Sequence, residues 1–455
     1  MSKPMAAGSA SVSLFERPFA DTALEDVIEL FLGAAKPETQ WFVGMEVELF
    51  TFHEDSRASA SHETIRELLA ALGDRLGMER EHEVNGALIG LKGGGESVSL
   101  EPGGQLEFAS RPHRSLKALR NEISSWASTL AEVGRDRNLG FWAMGHQPFV
   151  DRDTAPVMPK PRYAIMRDHL TGSRGRDMMH LTGSVQVTVD FRDERNLVDK
   201  VRTAAKVSPF LAALVAASPF TRGKPNGYKS MRYQIWLDTD AARCGLWPEM
   251  LDEPGLTAQR YIERTLDTPA MFFRRGSEYR AADRTTSFGQ YAREGFEDTK
   301  VTVADFLDHL TTFFPEVRPK NYVEMRGQDC VLPHEAVALG GFWRGILDDE
   351  ATRLGVEDRL SGLGFEELRA LQPAVAKLGL EADSPAGPVG EVVEWLVSAA
   401  HARLAGSAPD CAECVEPLLE RAQARRSPAD EMLERAEATG DIQDALERVR
   451  VRCPD

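Results

Sequence analysis

The chain has 455 residues, 42% of them hydrophobic, enough to bury a core in one large domain or two to three ordinary ones. Its 71 acidic residues against 54 Lys and Arg give a formal charge of -17, which argues against nucleic acid or an anionic membrane as partner, because contact would begin with repulsion. Five scattered cysteines (Cys244, Cys330, Cys411, Cys414, Cys453) make no disulfide framework, and no stretch reads as a signal peptide or a membrane span, so a cytoplasmic protein is expected, as monomer or homodimer.

Residues 1–22 read as a flexible leader and 23–455 as a single domain. The apolar residues of Leu24 to Leu32 recur at helical spacing and open the fold. From Trp41 to Asp190 short alternating strands mix with helices over Glu63 to Leu76 and Leu116 to Val133, an α+β pattern. Arg202 to Ala217 predicts a buried helix, and Thr221-Arg-Gly-Lys-Pro-Asn-Gly227 a loop dense in turn residues and cations, a candidate anion site. Tyr322 to Arg326 is a last strand. From about Glu335 the chain is helical, with breaks at Ser384-Pro385-Ala-Gly-Pro388 and Ser427-Pro428. Cys411-Ala-Glu-Cys414 is a lone CxxC, two ligands short of a structural zinc site.

Side chains alternate across a strand, so residues two apart share a face. Glu46 and Glu48 oppose Met45, Val47 and Leu49. Glu101, Gln105 and Glu107 oppose Val98, Leu100, Leu106 and Phe108. Ser184, Gln186 and Thr188 oppose Val185, Val187 and Val189, and Glu324 and Arg326 oppose Val323 and Met325. An antiparallel sheet with one solvated face accounts for any one of these strands. Together they put five glutamates on polar faces with hardly a lysine between them, and neighbouring carboxylates repel unless cations lie among them. Mg²⁺ takes oxygen ligands and shares them with phosphates. Carboxylates beside Arg326 therefore suit ATP, neutralised by metal on one side and arginine on the other. No GxxxxGK[ST] loop is present, and Lys92-Gly-Gly-Gly95 is too short to replace one.

Longer strings are specific to a family. Gly93-Gly-Gly-Glu-Ser-Val-Ser-Leu-Glu101-Pro-Gly-Gly-Gln105-Leu-Glu107, Met158-Pro-Lys160-Pro-Arg162-Tyr-Ala-Ile-Met166, Ser184-Val-Gln186-Val-Thr-Val-Asp190, Ser230-Met-Arg232-Tyr233-Gln-Ile-Trp236 and Phe314-Pro-Glu-Val-Arg-Pro-Lys-Asn-Tyr322-Val-Glu324-Met-Arg326 follow one another in the order of the glutamate-cysteine ligases. The chain resembles the plant and proteobacterial type. It is also similar to the ergothioneine-pathway ligases, because Val47 and Leu49 stand where plant-type enzymes carry His and Lys.

The resemblance implies a glutamine-synthetase-like fold, with an antiparallel sheet forming a half-barrel funnel, helices outside and a helical C-terminal part. It implies an ATP- and Mg²⁺-dependent ligase joining the glutamate γ-carboxylate to the amine of cysteine, the first step of glutathione-type thiol synthesis. Glu46, Glu48, Glu101, Glu107, Gln186 and Glu324 match metal- and ATP-facing positions. Arg326 matches an arginine at the transferred phosphoryl group, and Arg232 one that holds the glutamate carboxylate. Lys160 and Arg162 are phosphate contacts or solvated cations; Tyr233 and Trp236 wall the pocket or belong to the core. His146 and His180 are expected to pack, since Mg²⁺ prefers oxygen. Arg275 to Thr299 diverges from the family, which leaves another amine acceptor as an alternative. A glycoside hydrolase with paired carboxylates and a non-catalytic binder of nucleotide or glutamate are the remaining alternatives.

Overall fold

The computed structural model describes residues 14–82, 86–407 and 409–452. Nine strands form one antiparallel sheet: β1 (Val43–His53), β2 (Glu79–His82), β3 (Leu88–Lys92), β4 (Ser97–Leu100), β5 (Leu106–Ala109), β6 (Leu139–Trp142), β7 (Ser184–Val189), β8 (Val317–Pro319) and β9 (Val323–Asp329). Their order is β8-β9-β7-β1-β5-β4-β3-β2, with β6 joined to the second half of β1. The two ends do not meet, so the sheet is open. The four strands whose alternation stood out in the sequence are thus neighbours. β1 lies at the centre because its eleven residues can pair on both sides, Glu48 opposite Glu107 and Glu46 opposite Gln186.

Helices cover the apolar face. The helices used below are, in chain order, α1 (Leu24–Leu32), α2 (His62–Leu76), α3 (Leu116–Arg135), α4 (Pro161–His169), α5 (Gly175–Leu181), α6 (Glu194–Leu214), α7 (Met231–Trp236), α8 (Pro333–Leu347), α9 (Phe365–Leu378) and α10 (Val389–Ser407), with further helices between and after them. α6 packs on β8 and β9, α8 on β1 and β7, and α3 on β1 and β6. Met45, Val47, Leu49, Val185, Val187, Val323 and Met325 are all buried there. At about 25 cal/mol per Å² of apolar surface removed from water, this face is the main source of stability. No helix among the described residues is long and apolar enough to cross a membrane.

Several expectations are adjusted. Residues 14–22 are docked rather than loose: the Phe19 amide donates to the Val301 carbonyl at 2.8 Å, and its ring meets Phe306 at 4.9 Å and Phe288 at 5.7 Å. Residues 1–13 of the expected leader lie outside the described residues, as does Cys453; the other four cysteines are free thiols. α6 begins eight residues before its expected start, because Asp193 caps it by accepting from the Asn196 amide and its first two turns are polar enough to hide the period. The 221–227 loop is a hairpin, Phe220–Thr221 with Lys224–Pro225, whose turn residues Arg222 and Gly223 have φ of 52° and 69°. Arg222 pairs with Asp151 at 3.0 Å, so this turn serves its own geometry and no anion site forms around it. Pro385 sits in the hairpin Asp383–Ser384 with Gly387–Pro388, and Ser427 caps the helix Pro428–Thr439.

Candidate active site

The polar face of the sheet divides into two halves of opposite charge. The first is acidic. Glu48 on β1 faces Glu107 on β5 in register, and Ser99 on β4 donates to Glu107 at 3.0 Å. Glu48 accepts from the Ser184 amide at 2.6 Å, the Ser184 hydroxyl at 3.0 Å and Gln186 Nε2 at 3.0 Å. Glu101 sits in the turn that joins β4 to β5. That turn is tight: a Cβ on Gly103 would stand 2.1 Å from the His180 carbonyl oxygen, and Gly104 has φ of 82°. For Glu46, Glu48 and Glu107, burial and mutual repulsion oppose ionisation. Burial, then the charge of Glu324, raises Glu46. Burial, then Glu101, pushes Glu48 up to about 7, and burial with Glu46, Glu101 and Glu48 holds Glu107 well above the carboxylate range.

The second half is cationic. Glu324 on β9, fully buried, accepts from Arg318 Nε at 2.5 Å, Arg326 Nη1 at 3.1 Å and Lys320 Nζ at 3.4 Å. Burial alone would raise its pKa, but Arg318, Lys320 and Arg326 overrule it and hold the carboxyl well below its ordinary range. The register makes the cluster, since Arg318 on β8 lies directly opposite Glu324. Gln186 bridges the halves, accepting from Arg326 through Oε1 and donating to Glu48 through Nε2. Arg232, on α7 and nearly inaccessible, donates through Nη1 to the Gly327 carbonyl at 3.1 Å and through Nη2 to the Arg326 carbonyl at 2.8 Å. Its buried Nε has no partner.

Residues 42–448 match the model of glutamate-cysteine ligase family 2. The chain belongs to that family. Glutamate-cysteine ligase B of rice, Oryza sativa subsp. japonica, is 37% identical over 379 residues, covering 82% of this chain and 76% of the rice protein. The tobacco enzyme, Nicotiana tabacum, is 37% identical over 380 residues (83% and 72%), and that of Arabidopsis thaliana 35% over 375 residues (81% and 71%). Among solved structures, glutamate-cysteine ligase of Francisella tularensis in complex with AMP superposes with a TM-score of 0.54 at 13% identity, over 90% of this chain and 87% of that one. A bifunctional glutathione synthetase from Pasteurella multocida gives 0.50 at 12% identity, over 90% and 52%. At such identities these two bear on the fold alone, and they agree with the α+β architecture. The rice, tobacco and Arabidopsis relatives are all named chloroplastic, so the expectation of a cytoplasmic protein does not stand.

Within this family member the structure gathers Glu46, Glu48, Glu101, Glu107, Gln186, Glu324 and Arg326 on one face, but it alters several roles. Glu324 was expected to face metal; its charge is instead already met by three cations. Gln186 links side chains across the two halves, its carbonyl oxygen accepting from Arg326 and its amide donating to Glu48. Lys160 is buried and donates to the Leu100 carbonyl at 2.6 Å and Tyr163 at 3.2 Å, tying α4 to the end of β4, which removes it as a phosphate contact. Arg162 remains half-buried over the Tyr163 ring, its Nε unpartnered, in the field of Glu101. Tyr233 and Trp236 stand on the short helix α7, not on a strand. Tyr233 is core, its hydroxyl donating to Glu316 at 2.8 Å; Trp236 is half-buried beside Arg232, with 5.5 Å from guanidinium to ring centre. His146 and His180 are buried, and burial lowers both to about 4.

Arg318, Lys320, Glu316 and Asp329 were not singled out from sequence. The first two had a legible signal, two cations two apart on a strand that folds back onto Glu324. A cleft of about 780 Å³ lined by Leu332, His334, Arg435, Arg448, Arg450 and Arg452 shares no residue with this face.

Proposed function

We propose that the chain is an ATP-dependent ligase that activates the γ-carboxylate of glutamate and joins it to the amine of cysteine. The observation that carries this reading is the juxtaposition on one sheet of four carboxylates that form no ion pair among the described residues and a compact group of arginines. A carboxylate at neutral pH resists attack by an amine because its oxygen is a poor leaving group. In the first step a γ-carboxylate oxygen attacks the γ-phosphorus of ATP, the bond to ADP breaks, and a γ-glutamyl phosphate forms. In the second the amine nitrogen attacks the γ-carbonyl carbon, phosphate departs and the nitrogen loses its proton, leaving an amide.

Little covalent work falls to the protein in phosphoryl transfer, so positioning and charge neutralisation dominate. Arg318 and Arg326, held by Glu324 and Gln186, face the charge that develops on the transferring group. Arg232 receives a substrate carboxylate, and its rigid fork suits that partner better than an ammonium would. Among the described residues no three carboxylate, histidine or cysteine groups converge on one ion position. Mg²⁺ asks for less, since it is commonly held by one or two carboxylates with phosphate oxygens and waters completing the shell. Glu46, Glu48, Glu101 and Glu107 lie together on this face and would supply those oxygens. The test is incubation of the purified protein with ATP, Mg²⁺, glutamate and cysteine, expecting ADP and γ-glutamylcysteine. No ADP with glutamate plus any amino acid would refute a ligase, and faster turnover with another amine would refute cysteine as acceptor.

A further inference from the structure

We propose that Asp329, at the end of β9, is a positioning residue that fixes Arg232, and through it the substrate carboxylate, by holding Ser218 and Ser230. This rests on the role given to Arg232 above. Asp329 is 1% exposed, and its carboxylate is taken up by three protein donors. Its Oδ2 accepts from the Ala217 amide at 2.8 Å and the Ser218 hydroxyl at 2.6 Å, and its Oδ1 from the Ser230 hydroxyl at 2.7 Å. Both serines then act on α7. Ser218 Oγ accepts from the Arg232 amide at 3.2 Å, and Ser230 Oγ caps the helix by accepting from the Tyr233 amide at 3.0 Å. A six-residue helix has little stability of its own, so the direction of its first turn is set by these two hydroxyls.

The other end of Arg232 is tied to the same strand. Its guanidinium donates to the carbonyls of Arg326 and Gly327, just before Asp329, where the pairing of β9 with β7 is irregular between Met325 and Gln328. Asp329 therefore acts on the backbone of Arg232 through the serines, while carbonyls of the same strand hold its head. The charge also fits. Burial works against the positive form of Arg232, and among the groups that support it Asp329 comes first, ahead of Glu48. Space is kept for this carboxylate by Gly145, where an added Cβ would lie 2.2 Å from Asp329 Cγ.

An asparagine keeps the size but turns one acceptor into an amide donor, which faces a serine hydroxyl that is itself donating. D329N should raise the KM for glutamate about tenfold or more and leave that for ATP within about twofold, since a displaced anchor loses ground-state and transition-state binding together. R232K alone should raise the glutamate KM, and D329N added to it should cost nothing further, because both act on one anchor. Multiplicative effects in the double variant, or a D329N whose glutamate KM is unchanged, overturn the proposal. An R232K without effect on glutamate KM overturns the role of Arg232 itself, a different failure. If D329N does not fold, S218A and S230A carry the test: each should raise glutamate KM selectively, and a normal value in both overturns it.

Discussion

Glu316 is a buried carboxyl, 7% exposed, that takes no part in the chemistry proposed here and yet should shape how stability depends on pH. Its Oε1 accepts from the Tyr233 hydroxyl and from Gln372 Nε2 on α9, while its Oε2 is buried without a partner. Burial pushes it up from the ordinary 4.5 to about 7, against the pull of those two hydrogen bonds and of Arg232. Between these values the folded chain holds a proton that the unfolded chain has released. Folding is therefore favoured at low pH by this group, and the advantage is lost as pH rises from 4.5 through 7. At about 1.4 kcal/mol per pH unit the whole effect is on the order of 3 kcal/mol, most of it falling between pH 5 and pH 8. E316Q keeps Oε1 and both hydrogen bonds and replaces the titrating oxygen by an amide. Urea unfolding followed by tryptophan fluorescence should find the variant gaining on the wild type by about 2–3 kcal/mol as pH goes from 5 to 8. A difference that stays constant over that range would refute the reasoning, because an isosteric change that does not titrate cannot reproduce the slope.

Truncating one partner of a buried ion cluster leaves the others uncompensated, so E324Q should lose about 3–5 kcal/mol in thermal or urea unfolding as well as turnover. Adding R318M should restore part of the stability but not the activity; a single variant as stable as wild type would count against the cluster. K160M should lower stability by about 1–3 kcal/mol through the lost tie to Leu100, with the KM for ATP unchanged in steady-state assays. A raised KM for ATP with unaltered stability would return Lys160 to the nucleotide. Chelating divalent ions should abolish ADP formation while far-ultraviolet circular dichroism stays the same, since the sheet is held by its apolar face and not by metal.

The parts of this site legible in the sequence are those that follow from alternation. Glu46, Glu48, Glu107 and Glu324 each sit in a strand with an unbroken apolar partner row, so the period of two fixes their face before any pairing is known. Alternation fixes the face of a residue but not what stands opposite it. Glu107 and Glu324 look alike in the sequence, yet the first meets Glu48 across the ladder and the second meets Arg318, and burial then drives one carboxyl up and the other down. The pairing of β8 with β9 is a local hairpin, whereas the order that sets β9 beside β7 and β5 beside β1 joins segments far apart in the chain. The same holds for Asp329: its three donors come from Ala217, Ser218 and Ser230, about a hundred residues away, and no local pattern marks it. Helix α7 is not legible for a different reason. Met231–Trp236 is too short to display a helical period, and its start depends on the Ser230 cap, which is legible only once Ser230 is seen to be held by Asp329. The carboxylate face can be read from local pattern, while the contacts that aim Arg232 join distant segments, and substitutions at Asp329, Ser218 or Gly145 should therefore alter glutamate binding without changing any residue that the alternation marks.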